Sequence, residues 1–166
     1  RFSFPLPLIN KNDCDLSFSG LKSSVRRQVD YLVEKQSGLY LRDQRDICAS
    51  FQKSMKLIFE QKTKKAIQLF SKISSVKSLS FSLAGGVAAN KEIRNSLREL
   101  CNNLRVRFSA PPLALCTDNG LMIAYAGTQM YLEGQADKMD LSPRPRWPID
   151  LDNQHSIGFG KRGRKI

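Results

Sequence analysis

Apolar and polar positions alternate over three short stretches of this chain and recur at three- or four-residue intervals between them. Cys14, Leu16 and Phe18 have the period of a half-buried strand, closed by Gly20 before a helical pattern runs through Leu21, Val25 and Val29. From Asp46 to Lys72 the apolar positions Ile47, Phe51, Met55, Ile58, Phe59, Ala66, Ile67 and Phe70 predict one long amphipathic helix. Its opposite face carries Lys53, Lys56, Lys62, Lys64 and Lys65. Leu79, Phe81 and Leu83, alternating with serines, predict a second strand. It leads through Ala84-Gly85-Gly86 into a helix with Ile93, Leu97, Leu100 and Cys101 inward. Leu104, Val106 and Phe108 predict a third strand, ended by Pro111-Pro112, and residues 121–131 a small-residue helix expected to be buried. Strands alternating with helices predict an α/β layer structure. After Leu141 the prolines 143, 145 and 148 break regular structure. The expected division is therefore a domain over 1–142 and, over 143–166, a Pro-rich arm with a flexible basic tail.

Composition changes this picture in two ways. Lys and Arg number 27 against 15 Asp and Glu, a formal net charge of +12, which attracts polyanions, RNA first among them. An acidic partner segment that balances the excess explains it equally well. No run of 18 or more apolar residues occurs, so no membrane-spanning helix is expected. The chain opens on Arg1 and reads as a piece cut from something longer. Four widely spaced cysteines (14, 48, 101 and 116) form no Cys-x-x-Cys pair and fit reduced, mostly buried thiols in the cytosol. The single histidine, His155, excludes a self-contained Ser-His-Asp triad or a His-Glu-x-x-His zinc helix.

Three segments carry candidate chemistry, each with an ordinary structural explanation beside it. Residues 84–90, Ala-Gly-Gly-Val-Ala-Ala-Asn, stand where a strand hands over to a helix; glycines there admit a nucleotide to the main chain, while a tight turn with Asn90 as a helix cap accounts for the same residues. In Cys116-Thr117-Asp118-Asn119-Gly120 the Asp118 carboxylate is suited either to a hard or borderline cation or to capping the next helix. Ser17, Ser19 and Lys22 around Gly20 offer groups for phosphate or ribose, and equally those of a common turn.

The order of these motifs is more specific than any one of them. Ser-Phe-Ser-Gly-Leu-Lys (17–22), the 84–90 segment, Pro-Pro-x-x-Leu-Cys-Thr-Asp-Asn-Gly-x-Met-Ile-Ala (111–124) and Arg-Pro-Arg-Trp-Pro (144–148) together resemble the C-terminal half of the TsaD family, the tRNA N6-adenosine threonylcarbamoyltransferases once labelled O-sialoglycoprotein endopeptidases. The resemblance runs from about Phe4 to Pro148. It implies the second lobe of the actin-like (ASKHA) ATPase fold shared with heat-shock chaperones and sugar kinases. It also implies transfer of threonylcarbamoyl from threonylcarbamoyl-adenylate to the adenosine beside the tRNA anticodon. By that resemblance Gly85, Gly86 and Asn90 belong to the adenylate site. Asp118 becomes a ligand of one divalent metal, Fe2+ or Zn2+, completed by two histidines of an N-terminal lobe absent from this chain. No residue takes a catalytic role by name. The implied partners are tRNA, TsaB-like and TsaE-like subunits and the missing lobe, with no membrane, in the cytoplasm.

Two residues depart from the family pattern: Ser23 where Thr is usual, and Leu121, whose bulk is expected to perturb a tight helix. The competing reading is a non-catalytic fragment that binds a partner or RNA. Peptidase chemistry finds no zinc helix here, and the 116–119 and 144–148 segments argue against a sugar kinase or chaperone.

Overall fold

The computed structural model describes residues 1–76, 78–136, 138–140 and 142–143. Its elements, in order, are α1 (Ser19–Gln36), α2 (Leu41–Ile73), β1 (Ser80–Ser82), a 3-10 turn (Gly86–Ala89), α3 (Lys91–Asn103), β2 (Arg107–Ser109), a second 3-10 turn (Leu113–Leu115) and α4 (Gly120–Leu132). The chain divides into two units, Arg1–Gly120 and Leu121–Ile166.

The first unit is built on α2. This helix starts earlier than the periodicity predicts, at Leu41, with Asp43 in its first turn and Lys72 in its last, both of the sign its dipole favours. Its apolar stripe meets that of α1: Leu21, Leu32, Ile47 and Ile58 form a core with Phe4, and Phe18, Val25, Val29 and Met55 close around it. Lys62 does not share the solvated face expected of it. It is buried, and its ammonium donates to Asp13 Oδ1 at 3.0 Å and to the Asp13 carbonyl at 2.9 Å.

That contact belongs to a strap formed by residues 1–18, and the strap replaces the strand expected around Cys14–Phe18. The segment pairs with no strand and is tied to α2 by side chains instead. Arg1 Nη1 donates to Asp43 Oδ1 at 2.6 Å, the Phe2 amide donates to Ser50 Oγ, Lys65 donates to Asn12 Oδ1, and Phe18 tilts against Phe59 with ring centroids 5.7 Å apart. Alternation alone is not enough for a strand: without a ladder partner, extended backbone gains no sheet hydrogen bonds, and α2 offers only side chains.

Two of these pairs give the fold an acid limit. The Lys62 ammonium holds the Asp13 carboxyl below its ordinary value of 3.8, and Gln36, with Arg1 beside it, does the same for Asp43. A carboxylate whose folded value is depressed adds stability above its unfolded pKa and loses it as pH falls through the folded value. The urea midpoint should therefore hold at neutral pH and fall as the solution is acidified below about pH 4. In Asp13→Asn and Asp43→Asn chains that acid slope should flatten, and a slope identical to wild type would remove these carboxylates as its source.

The second half of this unit is a parallel β1–α3–β2 crossover. Ser80, Phe81 and Ser82 pair in register with Arg107, Phe108 and Ser109. Both strands are shorter than the alternation predicts; before β2, Leu104 and Arg105 are spent on turning out of α3, Arg105 at φ 57°. Helix α3 packs on α2 through Ile93, Leu97 and Cys101, all buried, and Ser96 donates to Glu60. Burial pushes the Cys101 thiol up, which keeps it protonated. Of the four free cysteines two are buried, Cys101 and Cys116; Cys14 and Cys48 are exposed, against the expectation that most lie inside.

The second unit contains α4, which is a helix as predicted but not a buried one. Leu121 is 63% exposed, Ile123 65% and Tyr125 68%. Its small residues leave no apolar stripe narrow enough to commit one face inward. Leu121, the bulky departure from the family pattern, is therefore mostly exposed. No helix among the described residues is long and apolar enough to cross a membrane. The expected arm and tail, and with them the 144–148 motif and His155, lie outside the described residues apart from Pro143.

Candidate functional site

The turn after β1 is built from its two glycines and one asparagine. Gly85 has φ 81° and ψ −178°, a backbone state that only glycine adopts without strain. A Cβ at Gly85 or Gly86 would meet no atom within 4 Å, so the space in front of this main chain is open. The Ala88 amide donates to the Gly85 carbonyl at 3.0 Å, closing the short helix that delivers Asn90 to the start of α3.

Asn90 caps α3, its Oδ1 accepting from the Ile93 amide at 3.2 Å. The other end of the same amide group is directed outward from the helix, Nδ2 donating to Gln52 Oε1 of α2 at 3.3 Å. Capping thus uses the oxygen and leaves the nitrogen on the side of a cavity of about 440 Å³, lined by Cys48, Phe51, Gln52, Met55, Gly86, Val87, Asn90 and Ile93. The two explanations that the sequence left open are compatible in one residue.

A second, larger cavity of about 670 Å³ shares the wall made by Cys48, Phe51 and Met55, and on its far side stand Phe18, Ser19, Lys22 and Val25. The first motif and the glycine motif, more than sixty positions apart in the chain, therefore border neighbouring spaces along one stretch of α2. The floor is apolar and half-open, and the rims bring Lys22 at one end and an amide with open main chain at the other. Sequence reading did not single out Cys48, Phe51, Met55 and Gln52, which line these cavities. The apolar period of α2 located Phe51 and Met55 but gave no sign that they face a cavity.

The third motif reaches this region through one side chain. Arg94, in the first turn of α3, donates from Nε to the Ala88 carbonyl at 3.0 Å and from Nη2 to the Pro111 carbonyl at 2.5 Å, with Cys116 Sγ at 3.3 Å from the same nitrogen. Cys116 is buried and turns its thiol towards the Pro112 carbonyl. The loop that carries Asp118 is thereby fastened to the turn that carries Asn90. Asp118 itself is exposed and lies two residues ahead of α4. Among the described residues no group of three or more His, Cys, Asp and Glu side chains gathers.

The profile of one protein family, described as TsaD, tRNA N6-adenosine threonylcarbamoyltransferase, matches residues 1–125. The chain belongs to the TsaD family. It is 48% identical over 165 residues to a tRNA N6-adenosine threonylcarbamoyltransferase of Ruegeria sp. (strain TM1040), covering 99% of this chain and 45% of that protein. Proteins of the same name from Jannaschia sp. (strain CCS1) and Paracoccus denitrificans (strain Pd 1222) are 47% and 46% identical over the same length. The chain spans about half the length of these TsaD relatives, and it matches their C-terminal half. The family match covers all three motifs described above, and TsaD membership implies an ASKHA-type fold, with which the helices and small parallel sheet are compatible.

The strain at Gly85 gives a direct check on the turn. Gly85→Ala should lose about 1–3 kcal/mol of unfolding free energy through backbone strain alone, since no neighbour obstructs the added methyl. Gly86→Ala has the same open space and no positive φ, so by urea unfolding it should lose much less, and equal losses in the two variants would remove backbone strain as the cause.

Proposed function

We propose that this chain is the second lobe of an ASKHA-fold enzyme that transfers threonylcarbamoyl from threonylcarbamoyl-adenylate to the N6 amine of an adenosine in tRNA. The observation that carries the reading is the juxtaposition of an open glycine turn, the outward amide of Asn90 and an apolar cavity wall on α2, in a chain of the TsaD family.

In this reading the adenine lies against Phe51 and Met55, the Asn90 amide addresses the adenylate, and the main chain at Gly85 and Gly86 lets its phosphate end approach. Asp118 contributes one ligand to a divalent ion, Fe2+ or Zn2+, whose remaining ligands are two histidines of the N-terminal lobe; bound, the ion supplies a Lewis acid for the transferred carbonyl. The chain's own residues bind and orient the donor, which lowers the entropic part of the barrier. Lysines on the solvated side of α2, among them Lys53 and Lys64, dock tRNA phosphates. TsaB-like and TsaE-like subunits complete the assembly, in the cytoplasm.

The test is tRNA modification in cells depleted of their own transferase, comparing the chain alone with the chain co-expressed beside the N-terminal half of the Ruegeria relative. Restoration by the pair and not by the single chain is the expected result. No restoration by a soluble, assembled pair would leave a fragment that binds without catalysing.

A further inference from the structure

The Arg94 side chain touches two separate motifs, and two of its three partners are main-chain carbonyls. From α3 its guanidinium reaches back to Ala88, inside the glycine turn, and across to Pro111 and Cys116, on the loop that leads to Asp118. Its own backbone amide donates to the Asn90 carbonyl at 2.9 Å, so the residue that caps the helix and the residue that fastens the loop share one helical turn. The side chain is half-buried, and two carbonyls and a buried thiol gather around its one positive charge. A planar fork holds acceptors on two segments at fixed separation, whereas the single nitrogen of a lysine in that place would serve one of them well.

We propose that Arg94 is a positioning residue that sets the distance between the adenylate-facing turn at residues 85–90 and the carboxylate loop at residues 111–118. It touches neither the ligand nor the reacting atoms. It makes the two halves of this lobe's site move as one piece. Loss of the guanidinium frees the Ala88 and Pro111 carbonyls together, and the turn and the loop then open independently of each other.

The inference rests on the adenylate reading of the turn, so the test has one arm that needs no ligand. In the assembled two-half protein, hydrogen exchange of wild type and Arg94→Ala is followed at residues 85–90 and 111–118. Faster exchange in both segments, with α1 and the first turns of α2 unchanged, is expected. Unchanged exchange in either segment overturns the proposal, whatever the protein binds. In the second arm, adenosine monophosphate is titrated into wild type, Arg94→Ala, Arg94→Lys and Asn90→Ala. Arg94→Ala should weaken binding about ten-fold, on the scale of other residues that orient a contacting group. Arg94→Lys should fall between it and wild type, and methylguanidinium added to Arg94→Ala should recover part of the loss. Wild-type affinity in Arg94→Ala, with weakened binding in Asn90→Ala, sinks the role of Arg94 and leaves the adenylate reading standing. No nucleotide binding by wild type sinks the adenylate reading, while the exchange arm still decides whether Arg94 couples the two segments. Should Arg94→Ala fail to assemble, Arg94→Lys, which keeps the charge, carries both arms.

Discussion

Asp118→Ala, introduced into the two-half enzyme, is expected to lower threonylcarbamoyl transfer at least about 100-fold, since even residues one step behind a metal ligand cost 10–100-fold when removed. The same substitution should leave stability within about 0.5 kcal/mol of wild type, because Asp118 is exposed and its removal creates no cavity. The two readouts together are the test: transfer measured on tRNA, and the thermal midpoint of the purified assembly. Metal content should fall with transfer and not with the midpoint. Full activity in the variant would remove the carboxylate from the site, and a lowered midpoint would make it a structural residue instead.

Ile58→Ala should behave in the opposite way. Ile58 is fully buried where α2 meets the core of Phe4, Leu21, Leu32 and Ile47, and truncation there removes buried methyl and methylene groups and leaves a cavity bounded by two helices and the strap. A loss of about 2–5 kcal/mol is expected, against a total of about 5–15 kcal/mol for a domain. Urea unfolding measures it: a lower midpoint at unchanged slope is the predicted form. A loss below about 1 kcal/mol would mean that the strap settles into the space, and that the Arg1, Lys62 and Lys65 contacts are looser than their geometry implies.

The two profiles mark what the sequence makes legible and what it does not. Helical periodicity located α2 and α3 because each must bury one stripe, and the stripes recur every three or four residues whatever lies opposite. The paired strands were legible for a related reason: Phe81 and Phe108 alternate with small or charged neighbours, and their rings lie 6.3 Å apart across the pair. The alternation at Cys14, Leu16 and Phe18 had the same form and a different outcome, since strand formation depends on a partner edge and α2 presented none. Exposure of α4 was illegible because a helix of small and apolar residues reads as buried from composition alone.

Within the site, the sequence pointed to Gly85, Gly86 and Asn90 through the turn they make, which is a local property. It gave no sign that Arg94 reaches a loop 17 residues on, that Gln52 meets a residue 38 positions away, or that Phe51 and Met55 face a cavity. A long-range hydrogen bond leaves no period behind it. The family resemblance supplied roles for Asn90 and Asp118; the structure adds the side chain that ties their segments together.

The parallel pairing of β1 with β2 has a consequence for the order of assembly. Parallel strands cannot be joined by a tight turn, so the ladder from Ser80 to Arg107 closes only after the chain has travelled out along α3 and back, and a helix that forms ahead of the ladder lowers the entropic cost of that closure. Helices of this length form in about a microsecond or less, far faster than non-local strands find each other. The glycine turn thus acquires its fixed shape late, on a scaffold already standing, and a nascent chain would display α2 and its lysines well before the cavity beside the turn is complete.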